Sequence, residues 1–175
     1  IYIEMALKAR ALGKQILILV PEIVLTGQLV TSFKEYFADD VAVIHSRLSI
    51  GERNDTFWRI RTKQVSIIIG DRSALFAPFE DLGLIVMDEE HDPSYKQDES
   101  PRYHSHDIIE KMAEIYHATL IMGSATPSLE SYYKAQIGEY VLLKMPNRID
   151  NLPLPYIEGV DMREELRMGN RKIIS

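Results

Sequence analysis

Cysteine is absent from the 175 residues, and tryptophan occurs once. Without cysteine there is neither a disulfide framework nor a thiolate metal site. No apolar run approaches the roughly 20 residues that a membrane-spanning helix needs, and the opening stretch IYIEMALKAR lacks the basic-then-apolar layout of a secretory leader. These gaps exclude a bilayer-spanning helix, and the reading is a cytoplasmic protein. What is present is ordinary for a globular domain. Hydrophobic residues make up 46% and charged ones 26%, in a chain long enough to bury a core.

A net charge of −6 at first argues against nucleic acid, whose phosphates are met by Lys and Arg. The location of the charge reverses that argument. Between Asp88 and Glu99 stand six acids (Asp88, Glu89, Glu90, Asp92, Asp98, Glu99) against Lys96 alone, a local net of −5. The remaining residues carry −1, which leaves room for a basic groove.

Five short apolar runs recur: QILILV at 15–20, VAVI at 41–44, VSIII at 65–69, LGLIVM at 82–87 and ATLIM at 118–122. Each is continuous rather than alternating, as strands buried on both faces of a parallel sheet require. Helical patterns at about 2–12, 24–38, 49–63, 105–117 and 128–136 separate or flank them. The alternation predicts an α/β domain with a mostly parallel sheet flanked by helices. EYVLLK at 139–144 is expected as a final strand, followed by a proline-rich connector and a short charged helix near 161–168. Ser49 with Glu52 predicts a capping box, Ser128 a plain N-cap, and Ser105 or Asp107 the start of the helix between them. Phe57 and Trp58, at helical spacing from Ile60 and Arg61, are expected in the core.

The strands end in PEIVLTGQ, HSRLS, GDRSALFAP, DEEHDPSYKQ and GSATPS. In a parallel sheet these clusters emerge along one edge, where open α/β sheets bind ligands. Asp88 and Glu89, adjacent carboxylates after a hydrophobic strand, suit a magnesium nucleotide site: one holds the hard cation and the next polarises water. An acidic cluster alone is more often a solvated loop, and GSATPS alone a strand-to-helix turn. Their pairing favours phosphate chemistry. Tyr95 and Tyr103 with Lys96 and Arg102 suit stacking and charge contacts with single-stranded bases, the alternative being a tyrosine pair that packs the loop on its own domain. His91, His104 and His106 match no compact zinc spacing, which points to hydrogen bonding rather than metal.

DEEH with GSATPS resembles motifs II and III of superfamily two helicases, and the surroundings resemble the PriA-type primosomal replication-restart DNA helicases. LVPEIVLTGQ (19–28) is similar to that family's motif Ia, IHSRLSIGER (44–53) with Trp58 to its next segment, and GDRSALFAPF (70–79) to its motif Ib. DEEHDPSYKQDESPRYHSHD (88–107) is similar to its motif II with an aromatic-rich loop, and NRIDNLPLP (147–155) to its link towards a second motor lobe. Two positions depart: Pro101 stands where some members carry tryptophan, and His106 where an arginine is expected.

The resemblance implies a RecA-like three-layer fold, with motor lobe 1 over residues 1–145 and a linker and the start of lobe 2 over 146–175. It implies an ATP-dependent translocase on single-stranded and forked DNA that restarts stalled forks, with primosome proteins and single-stranded-DNA-binding protein as partners, in the bacterial cytoplasm near the nucleoid. Asp88 would coordinate Mg²⁺ and Glu89 would activate water for ATP hydrolysis, while His91, Ser124 and Thr126 couple nucleotide state to DNA. Pro21, Thr26, Gln28, His45, Arg72 and Ser73 would line the DNA backbone, with Tyr95, Lys96, Arg102 and Tyr103 in the aromatic loop.

A G-x-x-x-x-G-K-[ST] phosphate loop does not occur in the chain, and Gly13-Lys14 precedes a strand. By resemblance the chain starts inside the helix that follows such a loop. The expectation is therefore a fragment without appreciable hydrolysis of its own, the family's zinc-binding cysteines lying in the remainder. Alternatives are another superfamily two translocase, disfavoured by the SYKQ…PRYH loop, and a non-catalytic DNA-binding scaffold, disfavoured by the intact Asp88-Glu89 pair.

Overall fold

A computed structural model describes residues 1–21, 27–146 and 160–168. Contacts divide the chain into a unit over Ile1–Glu139 and a smaller one over Tyr140–Ser175. In chain order the first unit contains α1 (Tyr2–Ala11), β1 (Gln15–Leu19), α2 (Gln28–Phe37), β2 (Val41–Ile44), α3 (Ile50–Arg61), β3 (Ile67–Gly70) and β4 (Leu82–Met87). There follow β5 (Lys96–Gln97), β6 (Tyr103–His104), α4 (Ser105–Tyr116), β7 (Thr119–Met122) and α5 (Leu129–Gln136). The second unit holds α6 (Met162–Arg167). NRIDNLPLP lies outside the described residues.

The five apolar runs form one parallel sheet in the order β2-β3-β1-β4-β7. Every residue of β1 and β3 is buried, because each strand is covered on both faces. On one face Ile16, Ile18, Ile67, Ile69, Leu84 and Val86 pack with Ala6 of α1 and with Phe33 and Phe37 of α2, whose rings stack 5.8 Å apart. On the other, Leu17, Leu19, Ile68, Ile85 and Met87 pack with Ile60 of α3, Ile109 of α4 and Tyr95. Each buried Ile or Leu contributes roughly 1.5–3 kcal/mol over its exposed state, so these two clusters hold the helices on. The result is the three-layer RecA-like α/β arrangement expected from the sequence.

Register aligns the strand ends. Ile44 pairs with Gly70, Gly70 with Leu19, Leu19 with Met87, and Met87 with Met122, one row across all five strands. The residues that follow each strand therefore leave the sheet at the same level. Gly70 permits the approach of β2, since a Cβ there would meet Ile44 O at 2.5 Å.

The capping box at α3 is present: Ser49 accepts from the Glu52 N–H, and the Glu52 carboxylate accepts from the Ser49 N–H at 2.9 Å. Ser49→Ala should lower stability by about 1 kcal/mol, read as a lower denaturant midpoint at unchanged slope. Ser128 caps α5 as expected. α4 begins at Ser105, one of the two expected positions, with His104 before it as the N-cap, its ring accepting from the His106 N–H, while Ser105 is buried and its hydroxyl donates to Tyr95 O.

Two expectations are corrected. Residues 139–144 form no strand. Val141 and Leu143 are 87% and 83% exposed, since an apolar run becomes a strand only where a neighbouring edge takes its backbone hydrogen bonds. Trp58 is exposed, and it is Phe57, one residue earlier, that turns onto the core.

Candidate nucleotide and DNA site

The row of strand ends brings Asp88-Glu89-Glu90-His91 beside Gly123-Ser124-Ala125-Thr126. Backbone bonds join the two segments: the Gly123 N–H donates to Met87 O at 2.8 Å and the Glu90 N–H to Gly123 O at 3.0 Å. Above this bridge, His91 Nδ1 lies 2.7 Å from Ser124 Oγ and 3.6 Å from Glu89 Oε2, while His91 Nε2 lies 3.5 Å from Thr126 Oγ1. The Thr126 N–H donates to Ser124 Oγ. The expected cluster of His91, Ser124 and Thr126 thus forms, and His91 alone of the three comes close to Glu89.

Asp88 extends β4 through its N–H, which donates to Leu19 O at 2.9 Å. Its Oδ1 accepts from Tyr2 Oη at 2.8 Å, and no hydrogen bond reaches Oδ2 among the described residues. Gly123 makes room for this contact, because a Cβ there would stand 1.9 Å from Tyr2 Oη. Burial, then the nearby Asp88 carboxylate, raises the Tyr2 phenol well above its ordinary pKa, so it stays a donor. Glu89 has φ +48°, a left-handed backbone costing roughly 1–2 kcal/mol for a non-glycine residue, which turns the chain straight back at the strand end. The Asp92 N–H closes that turn onto Glu89 O at 2.8 Å.

These donors fit Mg²⁺ with a nucleotide. The uncommitted Oδ2 of Asp88 is a hard oxygen ligand, and Mg²⁺ characteristically takes one or two carboxylates and completes its shell with water and phosphates. Among the described residues no group of three or more His, Asp or Glu is placed to hold an ion by itself. An open cavity of about 480 Å³ lies next to Tyr2, bordered also by Gln28, Ser32 and Phe33.

Sequence reasoning missed Glu90. Only 2% exposed, its carboxylate accepts from the Ser128 N–H at 2.6 Å and from the Ser128 and Ser131 hydroxyls at 2.9 Å each. His106 Nε2 lies 2.7 Å away. Burial pushes the Glu90 carboxyl up, but the Ser128 N–H, the His106 ring and the two hydroxyls outweigh it and hold the pKa below the ordinary range. The residue therefore ties the Asp88–His91 turn to the N-termini of both α5 and α4. No local signal marks it, because its partners stand 16–41 positions downstream. His106, noted as a departure, supplies one of those partners.

Of the residues expected to meet DNA, several are placed otherwise. Tyr95 is 1% exposed, its hydroxyl donating to Asp88 O at 2.7 Å, so no ring face is left for a base and its stacking role is corrected to a structural one. Pro21 is buried. Ser73 Oγ is buried with no hydrogen-bond partner among the described residues, and Thr26 lies outside them. Arg72 is half-buried and braces the loop instead of standing free, Nη1 donating to Ser94 O and Lys96 O at 3.0 and 2.6 Å. Gln28 is exposed at the start of α2. His45 is half-buried after β2, its Nδ1 accepting from the Arg47 N–H. Lys96 and Arg102 are exposed, Lys96 paired with Asp98 at 3.1 Å and Arg102 Nε donating to Asp98 O. Tyr103, half-buried on the β5-β6 hairpin, meets Phe76 edge to face with ring centroids 5.5 Å apart.

The chain is 50% identical over 175 residues to the replication restart protein PriA of Bacillus subtilis, covering all of this chain and 22% of the relative. It is 43% identical over 180 residues to the protein of the same name from Synechocystis, again covering 22% of that relative. The chain thus spans about a fifth of the length of these relatives. Among solved structures, the C-terminal domain of the DEAD-box protein Dbp5 is similar with a TM-score of 0.46 and 8% identity, over 73% of this chain and 71% of that one. The DEAD/DEAH box helicase family model matches residues 1–135, and the chain belongs to the DEAD/DEAH box helicase family.

Proposed function

We propose that residues 1–145 are the first motor lobe of an ATP-dependent DNA helicase that translocates on single-stranded DNA and restarts stalled forks, with 146–175 leading into a second lobe. The observation that carries the reading is the joining of Asp88-Glu89 to the His91, Ser124 and Thr126 cluster across the sheet edge. Similarity to replication restart proteins at 43–50% identity over the whole chain supports DNA rather than RNA as the track. The reading extends to primosome proteins and single-stranded-DNA-binding protein as partners and to a place in the bacterial cytoplasm by the nucleoid. No helix among the described residues is long and apolar enough to cross a membrane.

Bound Mg-ATP supplies the phosphoryl group whose cleavage drives movement. Asp88 holds its side chain for the cation, oriented by Tyr2. Glu89 accepts the proton of the attacking water, and His91 links that carboxylate to Ser124 and Thr126, so a shift at the phosphate reaches the GSAT turn. The exposed hairpin around Lys96, Arg102 and Tyr103 meets the DNA, and Tyr95 ties it to Asp88.

The 175-residue chain lacks a phosphate-gripping lysine in a glycine-rich loop, so by itself it should not hydrolyse ATP, with or without DNA. It should bind labelled oligo-dT weakly, with affinity falling as salt rises at a log–log slope of about −0.7 per phosphate contact. DNA-stimulated phosphate release by the chain alone would refute the first statement. Salt-insensitive binding in an anisotropy titration, or none, would refute the second.

A further inference from the structure

Phe76 is 57% exposed on the 3-10 turn Arg72–Phe76 that follows β3. A single exposed phenylalanine needs no explanation. This one is held against a second aromatic from a different segment: Tyr103 of β6 meets it at 86° with centroids 5.5 Å apart. The pair forms a corner of two rings at right angles.

That corner is braced. Arg72 opens the same turn that Phe76 closes, and its guanidinium donates to Ser94 O and to Lys96 O, the latter on β5, which pairs with the β6 strand of Tyr103. Between those two carbonyls sits Tyr95, buried and bonded to Asp88 O. Rings whose positions are already set lose little freedom on binding, and stacking then contributes close to its full value. Lys96 and Arg102, exposed on the same hairpin, supply cations for the phosphates beside a stacked base.

We propose that Phe76 and Tyr103 together form the base-stacking platform for single-stranded DNA, Phe76 taking the place that buried Tyr95 leaves vacant. The inference rests on the DNA-binding reading above and adds to it a residue of the β3 turn. Stacking is blind to base identity, since every base has a π-face, so the platform suits a strand of any sequence. Tyr95, just before β5 of the same hairpin, is hydrogen-bonded to Asp88 O, the residue before Glu89.

The test uses the 175-residue chain and a fluorescein-labelled dT oligonucleotide, with anisotropy titrations at several salt concentrations. Phe76→Ala is expected to weaken binding about tenfold, within the range for one lost stacking contact, at an unchanged salt slope because no phosphate contact is removed. Phe76→Leu keeps an apolar side chain and should lose nearly as much, whereas Phe76→Tyr should bind like the parent. Tyr103→Ala should weaken binding similarly, and the double variant should lose less than the product of the two, because one platform is removed only once. Tyr36→Ala, another exposed aromatic, on α2, should change nothing, and it and the Phe76 variants should melt near the parent temperature. If the chain binds oligo-dT and Phe76→Ala or Phe76→Leu binds as tightly as the parent, the platform is overturned while the DNA-binding reading stands. No binding by the parent chain overturns both.

Discussion

Glu90→Ala should destabilise the domain by about 3 kcal/mol, the largest stability effect expected of any single substitution near the site. Truncation strands the Ser128 N–H, two serine hydroxyls and the His106 ring in a buried pocket, and removing one member of such a set costs the desolvation of those left behind. Urea unfolding of the 175-residue chain measures it. Glu90→Gln should cost less, because one carboxamide oxygen still accepts while the amide nitrogen opposes the Ser128 N–H. A loss below 0.5 kcal/mol for the alanine variant, the size of an ordinary surface substitution, would show that the network carries no weight.

The same residue sets a pH dependence. Its folded-state pKa lies below the ordinary value of 4.5, so its contribution is fully present above that value. The contribution is then lost as pH falls from there through the lowered folded-state pKa. The stability difference between the parent and Glu90→Gln should therefore be flat near neutrality and shrink on acidification below pH 4.5. A difference that grows on acidification would contradict the sign.

Glu89→Gln should reduce ATP turnover by about 10²–10⁴-fold, the usual worth of a positioned general base. The measurement needs a phosphate loop, so residues 1–175 would be exchanged into the Bacillus subtilis relative in place of its matching segment. Glutamine keeps the size and the hydrogen-bonding reach of the side chain but cannot accept a proton from water. The loss should therefore fall on kcat, with KM for ATP little changed. Unchanged turnover would remove Glu89 from the role. His91 Nδ1, 3.6 Å from Glu89 Oε2, makes the effect of Ser124→Ala dependent on Glu89, and the two substitutions should combine to less than the product of their separate losses.

The strands and helices were legible because burial on two sheet faces writes itself locally: continuous apolar runs such as QILIL and LGLIVM, each followed by a helical period. Capping at Ser49 and Ser128 was equally local, as a hydroxyl reaches an N–H three residues on. The pairing of DEEH with GSAT was legible as soon as the sheet was taken as parallel, since parallel strands must release their C-terminal ends at one edge.

Tertiary structure alone decided which side chains at that edge face each other. Tyr95 and Tyr103 read alike in sequence, yet one is sealed under the site with its hydroxyl on Asp88 O and the other stands at the surface against Phe76. Glu90 reads as one more acid in a charged run, and only the arrival of α4 and α5 makes it a buried anchor. EYVLLK has the composition of a strand without the neighbouring edge that would make it one. In each case the deciding partner lies far along the chain, and a local pattern records what a residue prefers, while packing determines which of its preferences can be satisfied.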